Sequence, residues 1–162
     1  MADTNRAVEK LQEKLGSSII EVKEDRGDFI VTVKKEDIIA VLSLLKYECK
    51  FDMMTDVTAI DYLGCEGDRF MMVYQLTSVP FKDRLRVKAP VSESACSIDS
   101  ATQVYGSANW LEREVFDLFG ICFEKHPDLR RILMTPDWEG YPLRKDYPLQ
   151  GPGREPYKGR LS

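Results

Sequence analysis

Residues 109–149 read NWLEREVFDLFGICFEKHPDLRRILMTPDWEGYPLRKDYPL, and they decide how the chain is interpreted. They hold charge, aromatic rings and turn residues more densely than a hydrophobic core requires. Residues 110–120 have the spacing of one amphipathic helix. The residues after this helix are rich in proline and glycine, which excludes a long helix or a central strand. The stretch therefore predicts a short helix and an extended docking arm over residues 121–150. Residues 151–162 have too few apolar side chains to pack on the domain, which predicts a flexible tail.

The residues before this stretch predict the platform that carries it. Helical spacing of apolar residues recurs at residues 4–15, 36–48 and 107–120. Five alternating, β-branched runs indicate strands, at residues 18–24, 28–34, 53–62, 69–77 and 84–89. The resulting order is α-β-β-α-β-β-β-α. It predicts an α+β core over residues 1–120, a two-layer domain with helices on a mixed β-sheet.

Composition limits the classes of function. With 162 residues, of which 43% are hydrophobic, the chain is long enough for one domain with a sizeable core. The net charge is −4, and the last 62 residues hold equal numbers of basic and acidic side chains, so neither half resembles a basic nucleic-acid-binding block. No uninterrupted apolar run approaches the roughly 20 residues of a membrane-spanning helix. We expect the chain to meet a membrane only through partners.

The cysteines and glycines show no cofactor signature. Cys49, Cys65, Cys96 and Cys122 form no C-x-x-C pair and have no histidine near them. This spacing argues against a zinc site or an iron–sulfur cluster. No glycine-rich phosphate-binding pattern is present. The first residues also lack a secretory signal, which favours a reducing cytoplasm and free thiols. We expect no metal and no nucleotide in this chain.

The carboxylates of the helix raise the possibility of an enzyme. Glu112, Glu114 and Asp117 are residue types that serve as acid and base or as metal ligands. Successive helical residues are rotated by about 100°, so Glu112 and Glu114 diverge, while Arg113 and Asp117 can pair on the surface. We therefore expect a solvated or interfacial ion-pair network. A soluble enzyme that uses these three carboxylates is the distant alternative.

The arm has the residue types of a protein interface. His126 is the only histidine, so it cannot build a metal site with a second one, and a structural or interfacial role is expected. Two basic pairs, Arg130–Arg131 and Arg144–Lys145, alternate with aromatic rings, as in protein interfaces. A solvated face, or a phosphate or nucleic-acid site, is the alternative. The predicted docking residues are Arg113, Glu114, His126, Pro127, Arg130, Arg131, Trp138, Tyr141, Arg144, Lys145 and Tyr147.

Four motifs in this stretch are recognisable together: Glu112–Glu114, Phe116–Ile121, His126–Leu133 and Pro142–Leu149. They resemble the family of the C subunit of bacterial NADH-quinone oxidoreductase, respiratory complex I, which is shared with the mitochondrial 30 kDa subunit. Residues 56–62 and 107–110 are also similar to that family. The sequence departs from the family at two positions, and both lie in the arm. They are Lys125, where glycine is usual, and Tyr141, where histidine is common.

The resemblance implies a peripheral subunit without catalytic residues or cofactors of its own. Its complex would pass electrons from NADH to a quinone such as ubiquinone and translocate protons in a respiratory chain, with FMN and iron–sulfur clusters in partner subunits. The implied partners are the quinone-site D subunit and adjacent iron–sulfur subunits, on the cytoplasmic side of the bacterial inner membrane. The alternative is the equivalent subunit of a membrane-bound hydrogenase or of formate hydrogenlyase.

Overall fold

The structure is a computed structural model that describes residues 2–149, with the side chains of residues 5–149. The helices in this part of the chain are α1 (Ala2–Leu15), α2 (Ile38–Tyr47) and α3 (Ala108–Phe119). The strands are β1 (Ile19–Asp25), β2 (Asp28–Val33), β3 (Met53–Asp61), β4 (Phe70–Ser78), β5 (Asp83–Val91), β6 (Ser97–Asp99) and β7 (Cys122–Glu124). Short 3-10 turns at Gly16–Ser18, Lys35–Asp37 and Ala101–Gln103 join them.

Five strands form one mixed sheet in the order β1-β2-β5-β4-β3. Strands β2 and β5 are parallel, and the other neighbours in this sheet are antiparallel. Strands β6 and β7 form a separate parallel pair. This architecture confirms the predicted α+β fold with a mixed sheet.

The helices pack on one face of the sheet, because alternate strand residues are apolar there. On the two central strands, Met72, Tyr74, Leu85 and Val87 are fully or almost fully buried in the same core as Leu11 of α1. Burial of a large apolar side chain stabilises a fold by about 1.5–3 kcal/mol. The neighbouring positions on each strand face away from the helices. The sheet therefore has one face covered by the helices, as the predicted two-layer arrangement requires, and one more polar face.

The structure contains two strands that the sequence did not indicate. Strands β6 and β7 have three residues each, and Ile98 pairs with Phe123 at their centre. Runs this short show no measurable alternation, and parallel pairing between distant segments leaves no local signal. As a result, the first residues of the range predicted for the arm form a strand against the core.

Among residues 2–149, no helix combines the length and the apolar character that crossing a membrane requires. The tail predicted for residues 151–162 lies outside the described residues.

Candidate partner interface

Helix α3 joins the sheet to the arm. Its apolar side chains, including Val115 and Phe119, are buried in the core. The helix ends at Gly120, which adopts a left-handed conformation with φ of 73° and donates its N–H to Phe116 O at 2.9 Å. The helix also buries three charged residues, Glu112, Arg113 and Asp117.

Asp117 holds the middle of the arm. Its Oδ2 accepts hydrogen bonds from the backbone N–H groups of Ile132, Leu133 and Met134, at 2.9, 2.7 and 2.8 Å. Its Oδ1 accepts from Arg131 Nη1 at 2.9 Å. Burial opposes ionisation, but the backbone donors and Arg131 outweigh it and lower the pKa of Asp117 below its ordinary value. One buried carboxylate thus fixes four consecutive residues.

Glu112 lies beneath the start of the arm. Its oxygens accept from Ser100 Oγ and from the Ala101 N–H, both at 2.6 Å. Burial raises the pKa of Glu112 to about 7, although these two donors oppose the shift. His126 Nε2 lies 3.9 Å from the carboxylate.

The ring of His126 is itself fully buried and bonded on both sides. Its Nδ1 accepts from the Asp128 N–H at 3.0 Å, which assigns the proton to Nε2. Nε2 in turn donates to Asn109 O at 3.1 Å. The single histidine therefore ties the beginning of the arm to the first turn of α3.

Arg113 links α3 to the arm from the other side. Its Nε donates to Arg130 O at 3.1 Å and its Nη2 to Arg131 O at 3.4 Å. Its guanidinium carbon lies 5.2 Å from the centre of the Trp110 ring, within the range of a cation–π contact. Arg113 is thus enclosed between Trp110 and the arm backbone.

The last part of the arm closes over the end of α3. Arg144 Nε donates to Phe119 O, and its guanidinium lies 5.1 Å from the Phe70 ring and 4.6 Å from the Tyr141 ring. The Tyr141 ring covers Gly120 so closely that a Cβ placed there would lie 2.5 Å from it. Glycine at this position serves both the left-handed turn and the close approach of the ring.

An ion network around the buried side chains of Asp61 and Arg69 holds the arm to the sheet. The Lys145 N–H donates to Asp61 Oδ2 at 2.8 Å, and Arg69 pairs with the same oxygen at 3.1 Å. Arg69 also pairs with Asp146 at 2.8 Å and contacts Glu93. The hydrogen bonds from Arg69, Lys145 and Leu63 lower the pKa of Asp61 despite its burial. Charges that are buried in a fold have to be paired in this way.

The expected pairing of Arg113 with Asp117 on the surface was wrong, and so was the expectation that Glu112 and Asp117 are solvated. Glu112 and Asp117 are completely buried, and Asp117 pairs with Arg131 rather than with Arg113. The pairing differs because the arm returns to α3, and a contact between segments 14 residues apart does not follow from helical spacing. Glu114 is exposed, so the three carboxylates do not share one site open to a substrate.

The predicted docking residues differ in exposure. Six of them have side chains engaged within the chain: Arg113, His126, Arg131, Tyr141, Arg144 and Tyr147. Four are exposed, Glu114, Pro127, Arg130 and Lys145, and Trp138 is half-buried. Two of the exposed residues also have contacts within the chain, since Arg130 pairs with Asp128 at 2.9 Å and the Lys145 N–H donates to Asp61. Contact with a partner stays a prediction for all of them.

Sequence reasoning missed Asp61, Arg69 and Gly120 as anchors of the arm. One feature of the sequence could have indicated Asp61 as an anchor, since it is a charged residue at the end of a predicted strand. Its partner at Lys145 lies 84 positions away, so the pairing itself was not visible in the sequence.

The anchored arm leaves an apolar surface facing outward. Trp110 is 60% exposed and Leu133 is 56% exposed, and Ile132 lies beside Leu133 with 38% exposure. Arg113 connects these residues, because it contacts Trp110 on one side and the backbone before Ile132 on the other. We call Trp110, Arg130, Ile132 and Leu133 the outer arm surface. Large exposed apolar side chains in a cluster mark interaction sites.

Two solved structures have the same fold. A chain described as a trypsin-resistant fragment of Nqo5 superposes with a TM-score of 0.70 and 32% identity, covering 78% of this chain and 99% of that one. A chain of the membrane-bound sulfane sulfur reductase, an archaeal respiratory membrane complex, gives a TM-score of 0.76 and 28% identity, covering 90% and 86%. The fold is thus that of a class of subunits found in respiratory complexes.

The sequence comparisons define the family. The family described as respiratory-chain NADH dehydrogenase, 30 Kd subunit, matches residues 31–153. The C subunit of NADH-quinone oxidoreductase from Trichlorobacter lovleyi is 85% identical, and that from Geobacter metallireducens 64%, each over the full length of both chains. The chain belongs to this family, that of the C subunit of respiratory complex I, which confirms the resemblance. It is therefore a subunit of an oxidoreductase complex.

Proposed function

We propose that this chain is a non-catalytic structural subunit in the peripheral arm of a proton-translocating NADH-quinone oxidoreductase, on the cytoplasmic side of the inner membrane. It supports electron transfer from NADH to quinone by docking to the quinone-site D subunit and to adjacent iron–sulfur subunits. The FMN and the iron–sulfur clusters lie in partner subunits, and this chain holds no cofactor.

The observation that carries this proposal is the use of the helix carboxylates as anchors. Asp117 accepts four hydrogen bonds from the arm, and both oxygens of Glu112 accept bonds from the core. A general acid or base has to reach a proton on a substrate. Because these acceptor positions are occupied and fully buried, the arrangement favours a scaffold over a catalytic site.

The outer arm surface supplies the contact with a partner. Tryptophan and arginine are enriched among the residues that dominate binding energy. Trp110 lies on helix α3, and the arm backbone at Arg130 and Leu133 is already held by Arg113 and Asp117. Ordering a flexible segment opposes binding, so a segment that is ordered beforehand binds more tightly. The arrangement suits a stable contact between subunits.

The test is a double substitution, Trp110→Ala with Leu133→Ala, in cells that assemble the complex. We expect at least a tenfold loss of this chain from the purified complex, because truncation of a central interface residue costs about 2 kcal/mol or more. The isolated variant should lose no more than about 1 kcal/mol of unfolding free energy, because both side chains are more than half exposed and Trp110 contributes one cation–π contact, with Arg113. Tyr47→Ala, on an equally exposed ring of α2, is the matched control.

Normal recovery of the double variant with the D subunit would contradict the proposed interface.

The proposal that this chain holds no cofactor has a separate test. The isolated chain should be colourless and inactive with NADH, and a stoichiometric flavin or cluster in it would contradict the structural role.

The alternative assignment is the equivalent subunit of a membrane-bound hydrogenase or of formate hydrogenlyase. Its support is the fold alone, which this chain shares with a chain of a different respiratory complex, the sulfane sulfur reductase. Co-purification decides between the two, because hydrogenase subunits would then replace the NADH-oxidising and quinone-site subunits.

A further inference from the structure

The face of the sheet opposite the helices carries a row of positive charge. Along β5 the side chains alternate, and Leu85 and Val87 are buried in the core. Arg84, Arg86 and Lys88 therefore point to the other face. Since β5 is the central strand, these three cations lie along the middle of the sheet. We call this side of the sheet the open face.

Two apolar residues flank the row. Val73 pairs with Lys88, and Ile30 pairs with Arg86, so they share the open face with these cations. They are only 4% and 7% exposed, yet neither belongs to the hydrophobic core under the helices. The aliphatic stems of long cationic side chains cover apolar surface in this manner while their charged ends reach solvent. On the open face, buried apolar side chains therefore lie beside and beneath the charged side chains of β5.

The row differs from the arginines that hold the arm. Arg69 and Arg131 pair with carboxylates, and Arg113 and Arg144 donate to backbone carbonyls. In the described part of the chain, no carboxylate lies within 4.0 Å of the side-chain nitrogens of Arg84 or Lys88. Arg86 donates from Nε to the Gln75 amide at 2.9 Å when that amide is oriented to accept. Its charge is not neutralised by this contact.

A cleft of about 470 Å³ lies over one end of the row. Arg84, Arg86 and Gln75 line its centre, and Asp28 and Asp56 stand at its two sides. The potential is therefore positive along the middle strand and negative at both margins. A broad polyanion, such as an anionic membrane or a nucleic acid, would meet the acidic margins and a chain of net charge −4.

We propose that the open face is a second docking surface, which binds an acidic segment of another subunit. The segment places aspartate or glutamate side chains over Arg84, Arg86 and Lys88. Side chains two residues apart on a strand repeat about every 6.5–7 Å, so the row engages a single narrow line of carboxylates. One line of carboxylates fits both the positive charge of the row and its width of one strand, which favours a protein segment over a polyanion surface. The inference rests on the proposed role as a subunit, but it uses a face separate from the outer arm surface.

The test uses the purified complex and a carbodiimide, which joins an amine to a touching carboxylate with loss of water. We expect an amide between Lys88 Nζ and an aspartate or glutamate of another subunit. Lys88→Arg should abolish this cross-link and keep the chain in the complex. The charge reversals Arg84→Glu and Lys88→Glu together should lower its retention at least tenfold. Lys34→Glu with Lys50→Glu, two exposed cations outside the row, is the control with the same change in charge.

Equal modification of Lys88 by an amine reagent in the complex and in the isolated chain would overturn the inference. That result leaves the proposed function intact if the Trp110 and Leu133 variant still fails to assemble. Binding of the isolated chain to phosphatidylglycerol vesicles at 150 mM salt, lost on Lys88→Glu, would also overturn it, because the occupant would then be a membrane. Absence of the chain from the purified complex would instead refute the proposed function.

Discussion

At the scale of single residues, two buried carboxylates have opposite electrostatic settings. Asp117 is surrounded by donors, so its charged form is stabilised and its pKa is lowered. Glu112 has two donors in a deeper site, so burial dominates and its pKa is raised. The two residues lie five positions apart on one helix. Their pKa values shift in opposite directions because different groups pack against them. Helical spacing alone does not show which groups these are.

Asp117→Asn tests the anchor of the arm. The amide keeps the shape of the side chain but loses the charge that Arg131 and three N–H groups share. We expect the free energy of unfolding to fall by about 2 kcal/mol, the usual worth of hydrogen bonds to a charged group. Trypsin should also cleave faster after Arg130 and Arg131. In the matched control Glu114→Gln, on the exposed side of the helix, we expect a change within about 0.5 kcal/mol. Identical stability and cleavage in both variants would remove Asp117 from this role.

Glu112 predicts a dependence of stability on pH. Its pKa rises from an ordinary value of 4.5 to about 7 on folding, so the folded chain holds the proton more tightly. The contribution to stability is fully present below pH 4.5 and is lost as the pH rises through about 7.

Glu112→Gln keeps a neutral group at this position and should flatten that dependence. Between pH 5 and pH 8 we expect the natural chain to lose about 2–3 kcal/mol more unfolding free energy than the variant loses. Urea unfolding at several pH values measures the difference. Glu114→Gln should retain the natural slope. If Glu112→Gln retains it as well, the ionisation of Glu112 is not the cause.

At the scale of elements, tight backbone turns place the arm. Gly120 has φ of 73° beneath the Tyr141 ring, and Gly140 has φ of 81° beneath the Tyr147 ring. Lys125 is one of the two positions at which we expected a departure from the family, and it has φ of 63°, a left-handed conformation that favours glycine. Tyr141, the other position, carries the ring that packs on Gly120.

Gly120→Ala should disturb the element that joins α3 to the arm. A Cβ would meet Tyr141 at 2.5 Å and Arg144 at 2.8 Å, on a backbone conformation that alanine disfavours. We expect a loss of about 2 kcal/mol or more in unfolding free energy, since strain and displaced contacts add. Gly106→Ala, where a Cβ meets nothing within 4 Å, is the control. Equal thermal midpoints for the two variants would show that the ring does not constrain this turn.

At the scale of the whole molecule, local pattern predicted the helices and the five longer strands to within a few residues. It could not show that β2 and β5 lie side by side, because their pairing joins residues more than 50 positions apart. For the same reason the arm was predicted as a surface for partners only. The hydrogen bonds that Asp61 and Asp117 accept from the arm backbone show that the arm packs against its own chain.

The central claim is that the arm is anchored in the subunit before any partner binds. Amide hydrogen exchange at Ile132, Leu133 and Met134 in the isolated chain tests it directly. We predict exchange at least about 100-fold slower than in an unstructured peptide, which corresponds to a local opening free energy of about 3 kcal/mol. Exchange at the rate of an unstructured peptide in the isolated chain, with protection only in the assembled complex, would contradict the account.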